Sequence, residues 1–257
     1  MRKVLGQLLQ LTDHIYARSE ADLDAFIKLG ANRHKVSLIG NLKYSPPSSH
    51  AIEKPQVSRE YVVAASTHAD EELQILRCWL KLDRNELLVI APRHPERRDE
   101  ILKQLTSLTD MIAMRSRNDT ITETTKVYLL DTVGELNNWF ADAWLVIMGG
   151  SFIPRGGHNL LEPAHFGKAV IFGPSMENFY EEARLMLRKH AAVQVASVDR
   201  LCEQLQHFLS NEEALRSLEN NVAEATAGFS HIVDDYADII SSRMNVNKQD
   251  QSTDEHG

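Results

Sequence analysis

The chain has 257 residues, of which 43% are apolar and 25% charged, and this composition excludes disorder for most of its length. Its formal net charge of −8 argues against a nucleic-acid-binding protein, which usually carries a basic surface. Its start lacks the apolar core of a secretion signal, and no apolar run approaches the roughly 20 residues of a membrane-spanning helix. Cys78 and Cys202 are far apart in sequence, and we expect each to be a buried free thiol in a reducing compartment.

The first part of the chain alternates between helical and extended patterns. The predicted elements are an amphipathic segment over 1–11, a strand over 13–17, a helix over 19–29 and a strand over 36–40. Ser19 and Asp22 have the S-x-x-D spacing of a helix N-cap, and Gly30 suits the left-handed residue that ends a helix. The segment from Pro46 to Ser58 is rich in proline and serine without periodicity, which predicts a linker.

After the linker, short apolar strands alternate with helices. The predicted strands cover 61–65, 87–91, 111–114, 127–130, 144–148, the apolar run before Pro174, and 193–195. The predicted helices cover 70–81, 96–108, 135–140, a start between 159 and 163, 178–189, two helices after 199 and 211, and 233–244. This alternation predicts an α/β fold with a doubly wound parallel sheet. Ligands of such sheets bind beyond the carboxyl ends of the strands.

The stretch from Trp144 to Pro174 combines a buried strand, a glycine-rich loop, a helix start and a second strand. Its glycines allow positive φ and a close approach to a ligand; they are Gly149, Gly150, Gly156 and Gly157. Its polar residues are Ser151, Arg155, His158, Asn159 and Glu162. A helix start in such a loop suits an anion, typically a phosphate. Alternatively, Asn159 and Glu162 form an N-x-x-E capping box that serves only the helix.

Three more polar loops follow predicted strands. They are Ser66, Thr67 and His68 after the first strand, Pro92, Arg93 and His94 after the second, and Asp131, Thr132, Val133, Gly134 and Glu135 after the fourth. Because the carboxyl ends of parallel strands lie at one edge, these loops and the glycine-rich loop predict one shared site. Arg93 follows an apolar strand and favours an anion ligand.

Each of these residues also has a purely structural interpretation. Arg93 can form a surface ion pair with Glu96 or Asp99. The pairs Thr67 with Asp70 and Thr132 with Glu135 have the spacing of helix caps. The acidic run at 70–72 predicts a solvated helix start. His68, His94 and His158 lack the compact spacing of metal ligands, so we expect no metal site.

Four segments appear in the order and spacing of a known family: STHADEE, APRHPER, DTVGEL and GGSFIPRGGHNLLEPAHFGKAVIFGP. From about Ser19 to Tyr236 the chain resembles the Kdo transferases, glycosyltransferases of the GT-B type. They move 3-deoxy-manno-octulosonic acid (Kdo) from CMP-Kdo onto a lipid A precursor. The chain departs mildly from the pattern at Val133 and Leu160, where other members often have Met and Pro.

The resemblance implies a set of residues that bind the donor nucleotide, CMP. They are Pro92, Arg93, Val133, Gly134, Glu135, Asn159, Leu160, Leu161 and Glu162, with the remaining loop residues named above in support. Glu162 is similar to the glutamate that holds the ribose in related enzymes. The donor substrate CMP-Kdo is the only small molecule that this resemblance implies, with no separate cofactor.

The resemblance also implies a domain organisation. Residues 1–45 correspond to the end of a first domain and the passage to a second, 46–230 to the donor-binding domain, and 231–257 to a C-terminal helix with a disordered tail from Asn245. The family's catalytic glutamate, acceptor site and membrane surface lie in the first domain. We therefore assign no catalytic residue here and expect this chain to bind CMP-Kdo without turnover on its own. The intact enzyme is expected at the cytoplasmic side of the bacterial inner membrane, with the lipid A precursor as its other partner.

Two other functions stay open at this point. One is a GT-B enzyme or epimerase that uses a UDP-sugar, against which the combination of PRHPER with PRGGHNLLEP argues. The other is a non-catalytic nucleotide-binding module, which the missing general base would favour.

Overall fold

A computed structural model describes residues 2–46, 53–55 and 57–253, and side chains from Val4 to Met244 within these ranges. The chain divides into two compact units: Met1–Pro47 with Ala227–Gly257, and Ser48–Thr226. Most of the predicted linker, namely residues 47–52 and 56, lies outside the described residues.

The smaller unit contains a two-stranded parallel sheet and three helices. Its elements are α1 (Arg2–Leu11), β1 (Ile15–Ala17), α2 (Glu20–Leu29), β2 (Val36–Leu38) and α10 (Ile232–Thr253). Ser19 caps α2 by accepting a hydrogen bond from the Asp22 backbone N–H at 3.1 Å, and Gly30 ends it with φ 106°. Both sequence signals are therefore confirmed. The last helix continues to Thr253 instead of ending at Met244, and 254–257 lie outside the described residues.

The larger unit is a parallel sheet covered by helices. Its strands are β3 (Tyr61–Thr67), β4 (Leu87–Pro92), β5 (Ile112–Met114), β6 (Val127–Leu129), β7 (Leu145–Met148), β8 (Val170–Phe172) and β9 (Ala192–Gln194). Its helices are α3 (Glu71–Lys81), α4 (Arg98–Leu105), α5 (Leu136–Phe140), α6 (Leu161–Ala164), α7 (Tyr180–Arg188), α8 (Val198–Ser210) and α9 (Glu212–Thr226). The predicted doubly wound α/β fold is confirmed.

The central strands are buried along their whole length because helices cover both faces of the sheet. Every residue of β4 and β7 is buried, without the alternation of a half-exposed strand, as a parallel sheet requires. Cys78 of α3 and Cys202 of α8 form a disulfide where the two helices pack together. The prediction of two free thiols was therefore wrong, because the pairing depends on a helix contact that local sequence does not reveal.

The strand order places a switch point at the centre of the sheet. The order is β5-β6-β4-β3-β7-β8-β9, so the chain places β4, β5 and β6 on one side of β3 and then crosses to β7 on the other side. The loops after β3 and β7 leave this point in opposite directions. A crevice opens between such loops, and this is where doubly wound sheets bind their ligands.

Candidate functional site

The end of β3 turns sharply into the loop that carries His68. The pairing of β3 with β4 shifts register between Ala65 and Thr67, and Ser66 has a left-handed φ of 54°. Such a conformation is strained for a non-glycine residue, and it persists only where the surrounding structure enforces it. The bulge redirects the chain so that His68 faces the crevice loops rather than the next strand.

The buried side chain of Glu71 connects the loop after β3 to the glycine-rich loop. Its side chain is 0% exposed. Its carboxylate accepts hydrogen bonds from the backbone N–H groups of His68 (2.9 Å), Gly150 (2.7 Å) and Phe152 (3.0 Å). Burial raises the pKa of Glu71, while the three N–H donors favour its charged form. One carboxylate thus fixes loops that are about 80 residues apart in sequence.

Glu72 is a second buried carboxylate at the start of α3. It is also 0% exposed, and its Oε1 accepts from the Thr67 hydroxyl at 3.2 Å and from the Arg97 guanidinium at 3.0 Å. The prediction of a solvated acidic helix start was therefore wrong for Glu71 and Glu72. Thr67 bonds to Glu72 rather than capping the helix, and Asp70, the N-cap residue of α3, makes no side-chain cap bond.

The glycines of the long loop permit contacts with neighbouring protein loops. A Cβ atom on Gly149 would lie 2.6 Å from the Ser66 carbonyl oxygen, so only glycine lets β7 pass this close to the end of β3. Side chains on Gly156 and Gly157 would collide with Asn178 and Met176. The sequence pattern predicted room for a ligand at these glycines. At Gly149, Gly156 and Gly157 the close neighbours are instead protein atoms.

Ser151 anchors the same loop to the end of β8. It is fully buried, donates a hydrogen bond to the Met148 carbonyl oxygen, and accepts one from the Gly173 backbone N–H at 2.7 Å. The hydroxyl is therefore used within the fold. Ser151 thus holds the loop to the end of β8 through hydrogen bonds within the protein.

Two histidines meet across the crevice. The Nε2 atoms of His68 and His158 lie 2.9 Å apart, and their rings are parallel with centroids at 5.2 Å. The ring of His94 lies 5.6 Å from that of His68. Burial, followed by the electrostatic effects of His158, His94 and Arg155, lowers the pKa of His68 to about 4. Burial also lowers the pKa of His158, with Arg93 and His94 adding to the effect.

Arg93 reaches into the same region from the end of β4. Its backbone N–H bonds to the Thr67 carbonyl oxygen at 2.9 Å, which fixes its position beside the β3 loop. Its side chain is exposed, and within the described part of the chain it forms no ion pair. Glu96 instead lies 3.1 Å from His94. The surface ion pair that would have given Arg93 a purely structural role is thus not formed.

Glu162 completes this group at the start of α6. The surrounding protein raises the pKa of its carboxyl, and the charge of Arg93 and the side chain of Asn159 oppose that effect. Asn159 accepts a hydrogen bond from the Leu161 backbone N–H at 3.1 Å. The side chains of Leu160 and Leu161 are fully buried, so only their backbones can take part in a site. Because α6 has only four residues, its dipole is small.

The loop after β6 is held by its own ion pair. Arg115 contacts both oxygens of Glu135, at 2.7 and 2.8 Å, and the Thr132 hydroxyl donates to Glu135 at 2.6 Å. These bonds lower the pKa of Glu135. Buried Asp131 accepts from the Ser116 backbone and hydroxyl. Neither Thr132 nor Glu135 caps α5 through its side chain.

The tip of this loop is open to solvent. Val133 is 86% exposed, and a side chain on Gly134 would meet no atom within 4 Å. Backbone groups at the tip are therefore accessible to a ligand, whereas the side chains at its base are already bonded within the protein.

The described residues contain no cluster of three or more ligand-type side chains suited to a metal ion. Among the same residues, no helix combines the length and apolar character needed to cross a bilayer.

Known proteins were compared with this chain at the level of sequence and structure. No protein-family model matches it. It is 30% identical over 239 residues to the 3-deoxy-D-manno-octulosonic acid transferase of Rickettsia bellii, covering 88% of this chain and 56% of that protein. The transferase of the same name from Haemophilus influenzae is 31% identical over 207 residues, which are 76% of this chain and 48% of that protein. The chain thus spans about half the length of these relatives.

A solved structure decides the family. The C-terminal CMP-Kdo binding domain of WaaA from Acinetobacter baumannii is 33% identical, with a TM-score of 0.62, over 65% of this chain and 89% of that domain. The chain belongs to the Kdo transferase family. Within that family, about two thirds of the chain matches the C-terminal domain, and the predicted family resemblance is confirmed.

The predicted residues of this Kdo transferase family member fall into two groups. One group meets at the switch point: His68, Arg93, His94, Arg155, His158 and Glu162. The other is the loop from Asp131 to Glu135, whose bonds run to Arg115 and Ser116 instead. Sequence reasoning missed Glu71 as the anchor of the first group. The available signal was its position three residues after His68, the spacing at which a helix glutamate accepts from a preceding backbone N–H.

Proposed function

We propose that this chain binds CMP-Kdo at the carboxyl edge of its sheet, as the donor-binding part of a Kdo transferase. The observation that carries the proposal is that Arg93, from the loop after β4, meets His158 and Glu162, from the stretch after β7, at the switch point of a chain of this family. A donor composed of a nucleoside, a phosphate and an acidic sugar needs both cationic groups and a hydroxyl acceptor. This edge of the sheet presents both.

In this proposal Arg93 binds the donor phosphate. A guanidinium donates paired hydrogen bonds to phosphate oxygens. Among the described residues, no carboxylate forms an ion pair with the guanidinium of Arg93. When the sugar leaves, charge develops on the CMP phosphate, and a fixed cation stabilises it. Because α6 is a single turn, we assign this stabilisation to side chains rather than to a helix dipole.

Glu162 is proposed to hold the ribose, since a carboxylate can accept hydrogen bonds from two neighbouring hydroxyl groups. The exposed backbone at Val133 and Gly134 is proposed to contact the base. The ion pair of Arg115 and Glu135 fixes the root of that loop, so Glu135 acts by positioning the tip. Pro92 and Asn159 shape the loop backbones on either side.

The transfer step and the acceptor are proposed from the chain's membership of the family. The relatives carry the name of Kdo transferases, which supports transfer of Kdo. A lipid A precursor as acceptor, at the cytoplasmic surface of the inner membrane, rests on the sequence resemblance described above. The protein's own side chains supply the positive charge for the leaving phosphate, so the donor substrate is the only bound small molecule invoked.

Calorimetric titration of the chain with CMP, UMP and UDP-glucose tests the donor assignment. We expect selective CMP binding, weakened by about 10- to 100-fold in Arg93→Ala, since a charge-assisted hydrogen bond contributes about 1.5–3 kcal/mol. Glu162→Gln should weaken CMP more than cytidine 2′,3′-dideoxy-5′-monophosphate, which lacks the hydroxyls. Arg98→Ala, an exposed arginine on neighbouring α4, should bind CMP as the parent does. Preferred binding of UDP-glucose would instead support a UDP-sugar enzyme and would refute the proposal.

A further inference from the structure

The contact between His68 and His158 constrains their protons. With Nε2 atoms 2.9 Å apart, one ring must donate an N–H and the other must accept it through a lone pair. Two protonated Nε2 atoms would direct their hydrogens at each other. The free site therefore holds this pair with a single shared hydrogen between the two rings.

The fold makes specific room for this pair. Gly150 has φ 64°, and a Cβ there would lie 3.0 Å from the His158 ring and 3.2 Å from the His68 ring. Glu71 bonds both the His68 backbone N–H and the Gly150 backbone N–H. The same carboxylate thus sets the position of one histidine and of the glycine that both rings pack against.

Most of the ionisable groups that face the pair are basic. On the side of His68 these are His94, Arg97 and Arg155, and on the side of His158 they are Arg93 and His94. The nearby carboxylates are engaged elsewhere. Glu71 bonds backbone N–H groups, Glu72 pairs with Arg97, Glu96 lies on His94, and Glu162 faces Arg93. An added proton on the pair is therefore opposed by its surroundings until a negative ligand arrives.

We propose that the His68–His158 pair takes up one proton from solvent when a phosphate group occupies the site, so that donor binding is coupled to protonation. This inference rests on the proposed function. The added proton goes to the accepting Nε2 atom, so that both Nε2 atoms carry a hydrogen and their shared hydrogen bond is lost. One of the two Nε2–H groups then donates to a phosphate oxygen. The two histidines then act as positioning residues for the phosphate together with Arg93.

The coupling has a definite sign. In the free protein, burial and the neighbouring charges hold the pKa of His68 near about 4, so the pair carries no added proton near neutral pH. An anion beside it favours the charged form. Binding therefore takes up protons, and affinity should rise as pH falls from about 8 to about 6, by up to about tenfold per pH unit.

The sharpest probe is the methyl ester of cytidine 5′-monophosphate. CMP itself is unsuitable alone, because a phosphate monoester titrates near about pH 6 and would add its own proton exchange. The diester keeps one constant charge. Calorimetry is done at about pH 6.5 in two buffers that differ in their protonation enthalpy. The slope of the observed binding enthalpy against the buffer's protonation enthalpy gives the number of protons exchanged. We expect an uptake on the order of 0.5–1 proton.

The double variant His68→Gln/His158→Gln should still bind the ester, more weakly, with an uptake near zero and an affinity that is independent of pH. His207→Gln, which replaces an exposed histidine of α8, should retain the parent's uptake. Ester binding by the parent without proton uptake, or with the same uptake in the double variant, would overturn this inference and leave the proposed function standing. Absence of binding of both the ester and CMP by the parent would overturn the proposed function and this inference together.

Discussion

Replacing Glu71 by alanine tests whether one buried carboxylate holds the site together. The change removes the acceptor of three backbone N–H groups, on His68, Gly150 and Phe152. Only the N–H of Gly150 is in a fully buried bond, and the other two bonds are partly buried. A buried donor left without an acceptor costs about 1–3 kcal/mol. The N–H groups of His68 and Phe152 cost less, because water can partly replace the lost acceptor. We therefore expect the free energy of unfolding to fall by about 2–5 kcal/mol.

This loss is large against a typical total stability of about 5–15 kcal/mol. Urea denaturation followed by circular dichroism measures it as a lower transition midpoint with a similar slope. Glu71→Gln should lose less, because its amide oxygen can still accept from two of the donors and no buried charge has to be desolvated. Glu224→Ala, an exposed glutamate on α9, should stay within about 0.5 kcal/mol of the parent. Equal midpoints for Glu71→Ala and Glu224→Ala would refute the anchoring role.

Three further predictions concern the same region. In the folded chain, the pKa of His68 is near 4 instead of its ordinary 6.5. The folded state therefore binds fewer protons in that window, and stability should fall as pH drops from about 6.5 to about 4; His68→Gln should flatten this dependence in urea midpoints. Arg97→Ala leaves the buried carboxylate of Glu72 without its cation and should lower the free energy of unfolding by about 3–5 kcal/mol in the same assay. Gly150→Ala and Gly167→Ala share a left-handed backbone cost of about 1–2 kcal/mol, but only Gly150 is crowded by the histidines, so only its variant should weaken CMP binding in calorimetry.

Local signals in the sequence were sufficient for the elements of the fold. The cap of α2 depends on Ser19 and Asp22, three residues apart, and its end depends on Gly30 alone. The central strands β3, β4 and β7 are apolar runs because they are buried on both faces of the sheet. The parallel sheet also followed from the alternation of strands and helices, since parallel neighbours need a crossover connection. Such features are properties of a few consecutive residues.

The buried contacts beneath the site could not be predicted from local sequence signals. The local sequence predicts that Glu71 is solvated in the first turn of a helix, because an acidic residue there interacts favourably with the helix N-terminus. Its actual partners at Gly150 and Phe152 lie about 80 residues away, and only the packing of β7 beside β3 brings them together. The pairing of Cys78 with Cys202 has the same origin, across a sequence separation of 124.

The arginines of this edge show how the fold separates structural charges from charges that remain for a ligand. Arg97 contacts Glu72, and Arg115 contacts Glu135, so both guanidinium groups are neutralised inside the protein. Arg93 has no carboxylate in contact within the described part of the chain, and the histidines beside it are kept uncharged by burial. A cation without a carboxylate partner attracts an anion, and the guanidinium of Arg93 is such a cation. The buried carboxylates beneath hold the loops in place beforehand, so a phosphate does not have to bear the entropic cost of ordering them. In the proposed function, selectivity for an anionic donor then follows from the absence of a carboxylate partner for Arg93 within the described part of the chain.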